Sequence, residues 1–357
     1  MKAAGKKLAI VFVDISIAAL LLLGIYIINY TIPQKGIKAA ASSVLVDDTE
    51  NNTGNEQVTQ GSVVVKPSQV TSDGLVTTTV RKDAADWHVK FADHFTPSVV
   101  ADDLSYSSPD LSIQITKGSY DSGIRDYTEK GKHKKYGTRV AYTLADIYVG
   151  DITCFQSAFA KDTYGNGYSE KLTDMSIRLG SVLAVNGDSY NNNRHQDNGT
   201  IIRNGVIYRS RKTDMETCVL NWDGSMQIYS PEELNTQTLI DQGAYQSWIF
   251  GPSLLDENGK AKKDFLTWDY IRESHPRTAI GYYEPGHYCL LVVDGREPNY
   301  SRGMFLQEEA AIFEQLGCKL AYNLDGGHCS FMTLQNQVIS HPYKAEHEVP
   351  DGIFIMG

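Results

Sequence analysis

Four dipeptides ending in glycine limit what this chain can fold into more than any other feature. Asn204-Gly205 lies inside TIIRNGVIYR, Asp223-Gly224 inside CVLNWDGSMQIYS and Asn258-Gly259 inside SLLDENGKA, while Pro285-Gly286 separates RTAIGYY from HYCLLVVDG. Asn-Gly and Asp-Gly supply the positive φ angles that two-residue hairpins need, and here they sit between apolar alternations. This half of the chain therefore reads as mostly antiparallel sheet. Helices punctuate it. Ser169 is placed to cap a helix running to Leu179 and stopped by Gly180. Ser230-Pro231-Glu232-Glu233 has the form of a helix start, and in LQEEAAIFEQLG the residues Leu306, Ala310 and Phe313 share one face ahead of Gly317. The expected class is α+β, a mixed, largely antiparallel sheet with interspersed helices, closed by a C-terminal strand in IFIMG.

The N-terminus is of a different kind. The 23 residues Leu8–Tyr30 form an apolar run broken by one charge, Asp14, and preceded by Lys2, Lys6 and Lys7. As a helix this run would be about 34 Å long, enough for a hydrocarbon core of about 30 Å, with the lysines on the cytoplasmic side. The expectation is one transmembrane signal anchor with a cytoplasmic stub over residues 1–30, a single pass that leaves the folded part outside the cell. The competing reading is a cleaved signal peptide, for which Ala39-Ala40-Ala41 would serve as the cleavage site. Residues 31–80 are rich in Asn, Thr, Gln, Ser and Gly, so they are expected to be a disordered extracellular tether. Residues 81–140 form the first part of the folded region, and residues 141–357 its main domain.

A net charge of −10 without a basic stripe argues against nucleic acid as a partner and says little about a sugar ligand. The five cysteines, Cys154, Cys218, Cys289, Cys318 and Cys329, form no CxxC pair. An odd, scattered set reads as small buried hydrophobes rather than a disulfide framework.

Three apolar strands end in one kind of punctuation: SVLAV runs into Asn186-Gly187-Asp188, CLLVV into Asp294-Gly295-Arg296, and KLAYNL into Asp325-Gly326-Gly327. Glycine there lets the chain turn sharply and lets a ligand approach the backbone. Three aspartates on converging strand ends would make a polar cup suited to hydrolytic or metal chemistry. Any one of them taken alone is an ordinary turn. Arg277, in SHPRTAIG, adds a guanidinium to the set.

The ordered run SHPRTAIGYYEPGHYCLLVVDGREPNYSRGMFLQEEAAIFEQLGCKLAYNLDGGHCS resembles the core of the phosphodiester glycosidase family, as do AVNGDSY, GTIIRNGVIYR and FGPSLL. Members of that family remove N-acetylglucosamine from a phosphodiester, and bacterial relatives are labelled exopolysaccharide-related. The resemblance, which covers residues from about 141 to the C-terminus, implies hydrolysis of a sugar-1-phosphodiester in a cell-surface glycan. The alternative is a non-catalytic carbohydrate-binding or exopolysaccharide-assembly protein on the same fold. Asp325, then Asp294 and Asp188, are the candidate catalytic carboxylates, two of them with separated pKa values being the usual arrangement for glycoside cleavage. Arg277 and Arg296 are candidate phosphate clamps, and His275 a candidate phosphate donor. Asn186, Gly326, Gly327, His328 and Tyr190 are the expected substrate-binding set, whereas the loop Asn191–Asn193, within reach of sugar hydroxyls, reads first as an ordinary solvated loop. A divalent cation, Ca or Mg, is a second possible use of Asp188, Asp294 and Asp325 together with Asn186 and Asn323. Where the family carries Gly and Ser after the paired glycines, this chain has His328-Cys329-Ser330.

Overall fold

A computed structural model describes residues 2–28, 32–34, 36–39, 68–81, 86–126, 135–191 and 198–357. Helix α1, Lys2–Tyr26, takes up most of the apolar N-terminal run and stops short of Tyr30. Among the described residues no helix is long and apolar enough to cross a membrane, so the span expected at Leu8–Tyr30 is not supported. Parts of the expected tether are ordered against the domain. Ile37–Lys38 pairs with Thr163–Tyr164, and Val76–Thr77 adds an edge to the hairpin Thr200–Arg203/Val206–Ser210. The tether residues 40–67 lie outside the described residues.

The main sheet has seven strands. Its long members are β1 (Leu111–Asp121), β2 (Arg139–Val149), β5 (Arg277–Glu284), β6 (His287–Asp294) and β7 (Leu320–Asn323). They lie in the order β7–β5–β6–β2–β1, followed by Ser105–Ser107 and Val100–Ala101 at the edge. A five-stranded sheet contains β3 (Phe155–Phe159), β4 (Leu183–Asn186), β8 (Met332–Leu334) and β9 (Asp351–Ile355) in the order β8–β4–β9–β3, with Gln337–Val338 beyond β8. Met226–Tyr229, Thr217–Asn221 and Ala244–Trp248 make a small third sheet. Every ladder between the described strands is antiparallel, where a mixed sheet was expected.

Strand β6 shows why its sequence is apolar throughout. Tyr288, Leu290 and Val292 join a core with Phe155, Leu183, Trp248 and Ile353 between the sheets. Cys289, Leu291 and Val293 join a second core under Leu306, Ala310 and Phe313. Side chains alternate across a strand, so a strand buried on both faces needs no polar positions. The three helix residues belong to α4 (Leu306–Leu316), which ends at Gly317 with φ +77° as the sequence indicates. All five cysteines are free and four are buried.

The hairpins form where expected. Asn204 and Gly205, at φ +51° and +77°, close Arg203 onto Val206. Two helix starts differ from expectation. Helix α2 (Leu172–Leu179) begins three residues after Ser169. The Ser169 hydroxyl instead donates to Glu348 at 2.6 Å, and Glu170–Lys171 pairs with Glu348–Val349. At Ser230 the Glu233 carboxylate accepts from the Ser230 amide and hydroxyl, but this closes only a turn. Helix α3 (Thr236–Gln242) is capped by Asn235, whose side chain accepts from the amides of Gln237 and Thr238.

Candidate active site

The two large sheets meet where their strands end. Asn186, the last residue of β4, donates through Nδ2 to the Asp325 carbonyl at 2.7 Å and accepts from the Thr278 hydroxyl at 2.6 Å. The Asp325 amide donates to the Gly187 carbonyl at 3.2 Å. A buried amide that satisfies groups on both sheets sets their relative register. Asn186 is thus a brace, and its side chain has no reach left for substrate. Gly326 follows from the same crowding, since a Cβ there would lie 2.6 Å from the Pro276 carbonyl oxygen.

Beside this junction is a cavity of about 220 Å³, whose lining includes Tyr270, His275, Arg277, Arg296, Asp325 and His328 together with Gly326 and Gly327. Asp325 is the one carboxylate among the described lining residues. Its Oδ1 accepts from the Gly326 amide at 2.8 Å and its Oδ2 from the Ser189 hydroxyl. Burial pushes its pKa above the usual carboxylate range, with Asp351 adding to the rise and the Ser189, Cys329 and Gly326 donors opposing it. Arg296 reaches the cavity from the turn after β6. Its guanidinium donates to the hydroxyls of Tyr343 (2.9 Å) and Tyr270 (3.2 Å) and lies 3.0 Å from His275 Nδ1. His328 Nε2 lies 2.8 Å from the Ala345 carbonyl oxygen, and its ring stacks on His347 at 4.8 Å.

The other expected residues are placed differently. Asp188 is fully enclosed, with its two oxygens accepting from the amides of Ile249 (2.7 Å) and Phe250 (2.9 Å). Burial pushes its pKa up to about 7, Arg203 working against this and Asp351 adding to it. It anchors the 249–250 backbone and does not line the cavity. Asp294 is also away from the cavity. It accepts from the His341 amide at 2.8 Å and the Tyr300 hydroxyl at 3.0 Å, and burial raises it to about 6. Arg277 lines the cavity, but it donates to the carbonyls of Met304 (3.1 Å), Ile271 and Glu273 (2.6 Å each) and sits 3.9 Å from buried Glu309. Its guanidinium is therefore largely committed to holding the cavity wall. Tyr190 packs among Phe159, Tyr164 and Tyr208, and its hydroxyl accepts from the Gly165 amide at 3.0 Å. It is a core residue and makes no sugar-facing surface. Asn191 donates to the Gly165 carbonyl at 2.9 Å, and residues 192–193 lie outside the described residues.

Ser189, Arg203, Asp351 and Glu309 contribute to the junction without having been expected there. Asp351-Gly352 carries the same acid-glycine signature as the other strand ends, but at the start of its strand rather than the finish. Of the oxygens considered for a divalent cation, those of Asp188 and Asp294 are engaged as described, while Asn323 Nδ2 donates to the Gly251 carbonyl at 2.7 Å and its Oδ1 is buried with no protein partner among the described residues. Among the described residues no group of three or more His, Cys, Asp or Glu side chains is arranged to hold a metal.

An α+β domain with a carboxylate and a guanidinium in one cavity at its strand ends is the class of protein defined by this geometry. The phosphodiester glycosidase family pattern matches residues 179–356, and the chain belongs to that family through this domain. A Bacillus subtilis relative, the uncharacterised SPbeta prophage-derived protein YomE, is 31% identical over 182 residues, covering 50% of this chain. This chain spans 28% of that relative's length. Among solved structures, the zebrafish N-acetylglucosamine-1-phosphodiester alpha-N-acetylglucosaminidase catalytic domain, auto-inhibited by its pro-peptide, is 18% identical at a TM-score of 0.49, covering 70% of this chain and 89% of that one. A hypothetical protein from Synechocystis is 12% identical at a TM-score of 0.49, covering 72% and 64% respectively.

Proposed function

We propose that this protein hydrolyses a sugar-1-phosphodiester, such as an N-acetylglucosamine phosphodiester, in a cell-surface or extracellular glycan or glycopolymer. The observation that carries this reading is that Asp325 and Arg296 line the same cavity. The chemistry of the leaving group accounts for a single carboxylate. A phosphomonoester, with a second pKa near 6, leaves as a stable anion and needs no separate acid. Asp325 then serves as the base: it takes a proton from water as the water oxygen attacks the anomeric carbon. The carbon–oxygen bond breaks, its electron pair stays on the phosphate, and the positive charge of Arg296 in the same cavity offsets the charge that develops. A carboxylate whose pKa is raised towards working pH is the stronger base for this step. The extracellular location is checked by digestion of the domain with protease added to intact cells.

The test is release of free sugar by the full chain from a synthetic N-acetylglucosamine-1-phosphodiester, with and without chelator. Asp325→Asn is expected to lower kcat/KM by about a thousandfold or more, roughly 4 kcal/mol, with its Tm little changed. Arg296→Lys is expected to lose about tenfold to a hundredfold, because one ammonium cannot hold the Tyr343 and Tyr270 hydroxyls and face the phosphate together. Saturable glycan binding with no turnover would replace this reading with a binding or assembly protein.

A further inference from the structure

Ser189 is one of the few non-glycine residues with positive φ, at +48°, and it is buried. L-residues with a Cβ avoid this left-handed region, and such outliers persist only where surrounding structure enforces them. The enforcing groups are present. Asp351 Oδ1 accepts from the amides of Asp188 (3.0 Å) and Ser189 (3.2 Å), which wraps the turn around its carboxylate. A Cβ on Gly187 would come within 2.9 Å of that carboxylate, so glycine is what lets Asp351 sit under the turn. Asp351 Oδ2 is held by Arg203 Nη2 at 2.5 Å, and Arg203 Nη1 donates to the Ile202 carbonyl at 2.9 Å. The outcome of this arrangement is that the Ser189 hydroxyl donates to Asp325 Oδ2 while the Gly326 amide donates to Oδ1. A donor on each oxygen fixes the plane of the carboxylate.

We propose that Ser189 is a positioning residue for Asp325, set in its left-handed conformation by the buried Arg203–Asp351 pair. The inference rests on the reading of Asp325 as the base. Its hydroxyl orients the carboxylate towards the cavity and, by donating to the charged form, lowers the pH at which that carboxylate ionises. The other groups facing Asp325 are the Cys329 thiol and Asp351, and across the cavity His275, Arg277, Arg296 and His328.

Two variants separate orientation from turn shape. Ser189→Ala and Ser189→Gly both lose the hydroxyl, but only glycine relaxes the left-handed backbone. The positioning role predicts that both lose about tenfold or more in kcat with little change in KM, although their Tm values differ. Both should also move the acid limb of the pH–rate profile upward, since the base is then harder to ionise. A role only in shaping the turn predicts activity that follows Tm, with Ser189→Gly close to wild type, and that result overturns the proposal. A carboxyl carbon-13 NMR titration of the full chain, with the Asp325 signal assigned by its loss in Asp325→Asn, reads the same shift without turnover. An Asp325 titration unmoved in both serine variants refutes the positioning role alone, whereas hydrolysis surviving in Asp325→Asn refutes the base assignment.

Discussion

Asp188 and Asp325 leave adjacent strand ends, each next to a glycine, and the Asp325 amide hydrogen-bonds the carbonyl of the residue before Asp188. Their surroundings are nevertheless opposite. Asp188 lies on the enclosed side of the junction, where two backbone amides and the Arg203–Asp351 pair surround it. Asp325 lies on the cavity side, with a donor on each oxygen as well but open space in front. The same residue type therefore serves as scaffold on one side and as a candidate reagent on the other. The deciding variable is whether the carboxylate borders the cavity, since each of the two already has a donor on both oxygens.

The enclosed side gives the largest expected effect on stability. Asp351→Ala strands the Arg203 guanidinium and leaves two turn amides without their acceptor, and it is expected to lower the unfolding free energy by about 3–5 kcal/mol in urea titration. A loss below about 1 kcal/mol would mean that the enclosed side is not the scaffold described here. Next is Glu309, buried, with neither carboxylate oxygen hydrogen-bonded and raised to about 8 by burial against the opposing charge of Arg277. Because the folded pKa lies above the unfolded one, its contribution to stability is complete below about pH 4.5 and is lost as pH rises through about 8. Glu309→Gln should remove that slope and stabilise the protein at pH 7 by about 2–3 kcal/mol. An unaltered slope in denaturation across pH 5 to 8 would show that the carboxylate finds a partner in solution. The smallest effect is expected at Tyr190. Tyr190→Phe removes the Gly165 contact at a cost of about 1 kcal/mol, with hydrolysis unchanged. A selective loss of sugar affinity would restore Tyr190 to the binding surface.

Much of the fold is legible in the sequence because its determinants are local. The Asn204-Gly205 hairpin, the Gly317 helix stop and the double-sided apolar run of β6 each follow from a few neighbouring residues. The helix starts at Ser169 and Ser230 were misplaced because a distant carboxylate, Glu348, competes for one hydroxyl, and because the turn at the other closes without continuing. At the site, Asp325, Arg296, His328 and the paired glycines were legible as cavity residues. Asp188, Asp294 and Tyr190 were not separable from them.

The sequence by itself determined the chemical inventory, the antiparallel hairpins and the strand ends at which acids would appear, since hairpin geometry and side-chain alternation are short-range properties. Only the tertiary structure decided which acid faces open space. That choice depends on donors brought from far along the chain, such as the Ile249 and Phe250 amides at Asp188, the His341 amide at Asp294 and the Ser189 hydroxyl at Asp325. A carboxylate's availability is set by the burial around it and by whether a cavity opens in front of it, and neither exists until the sheets have closed on one another.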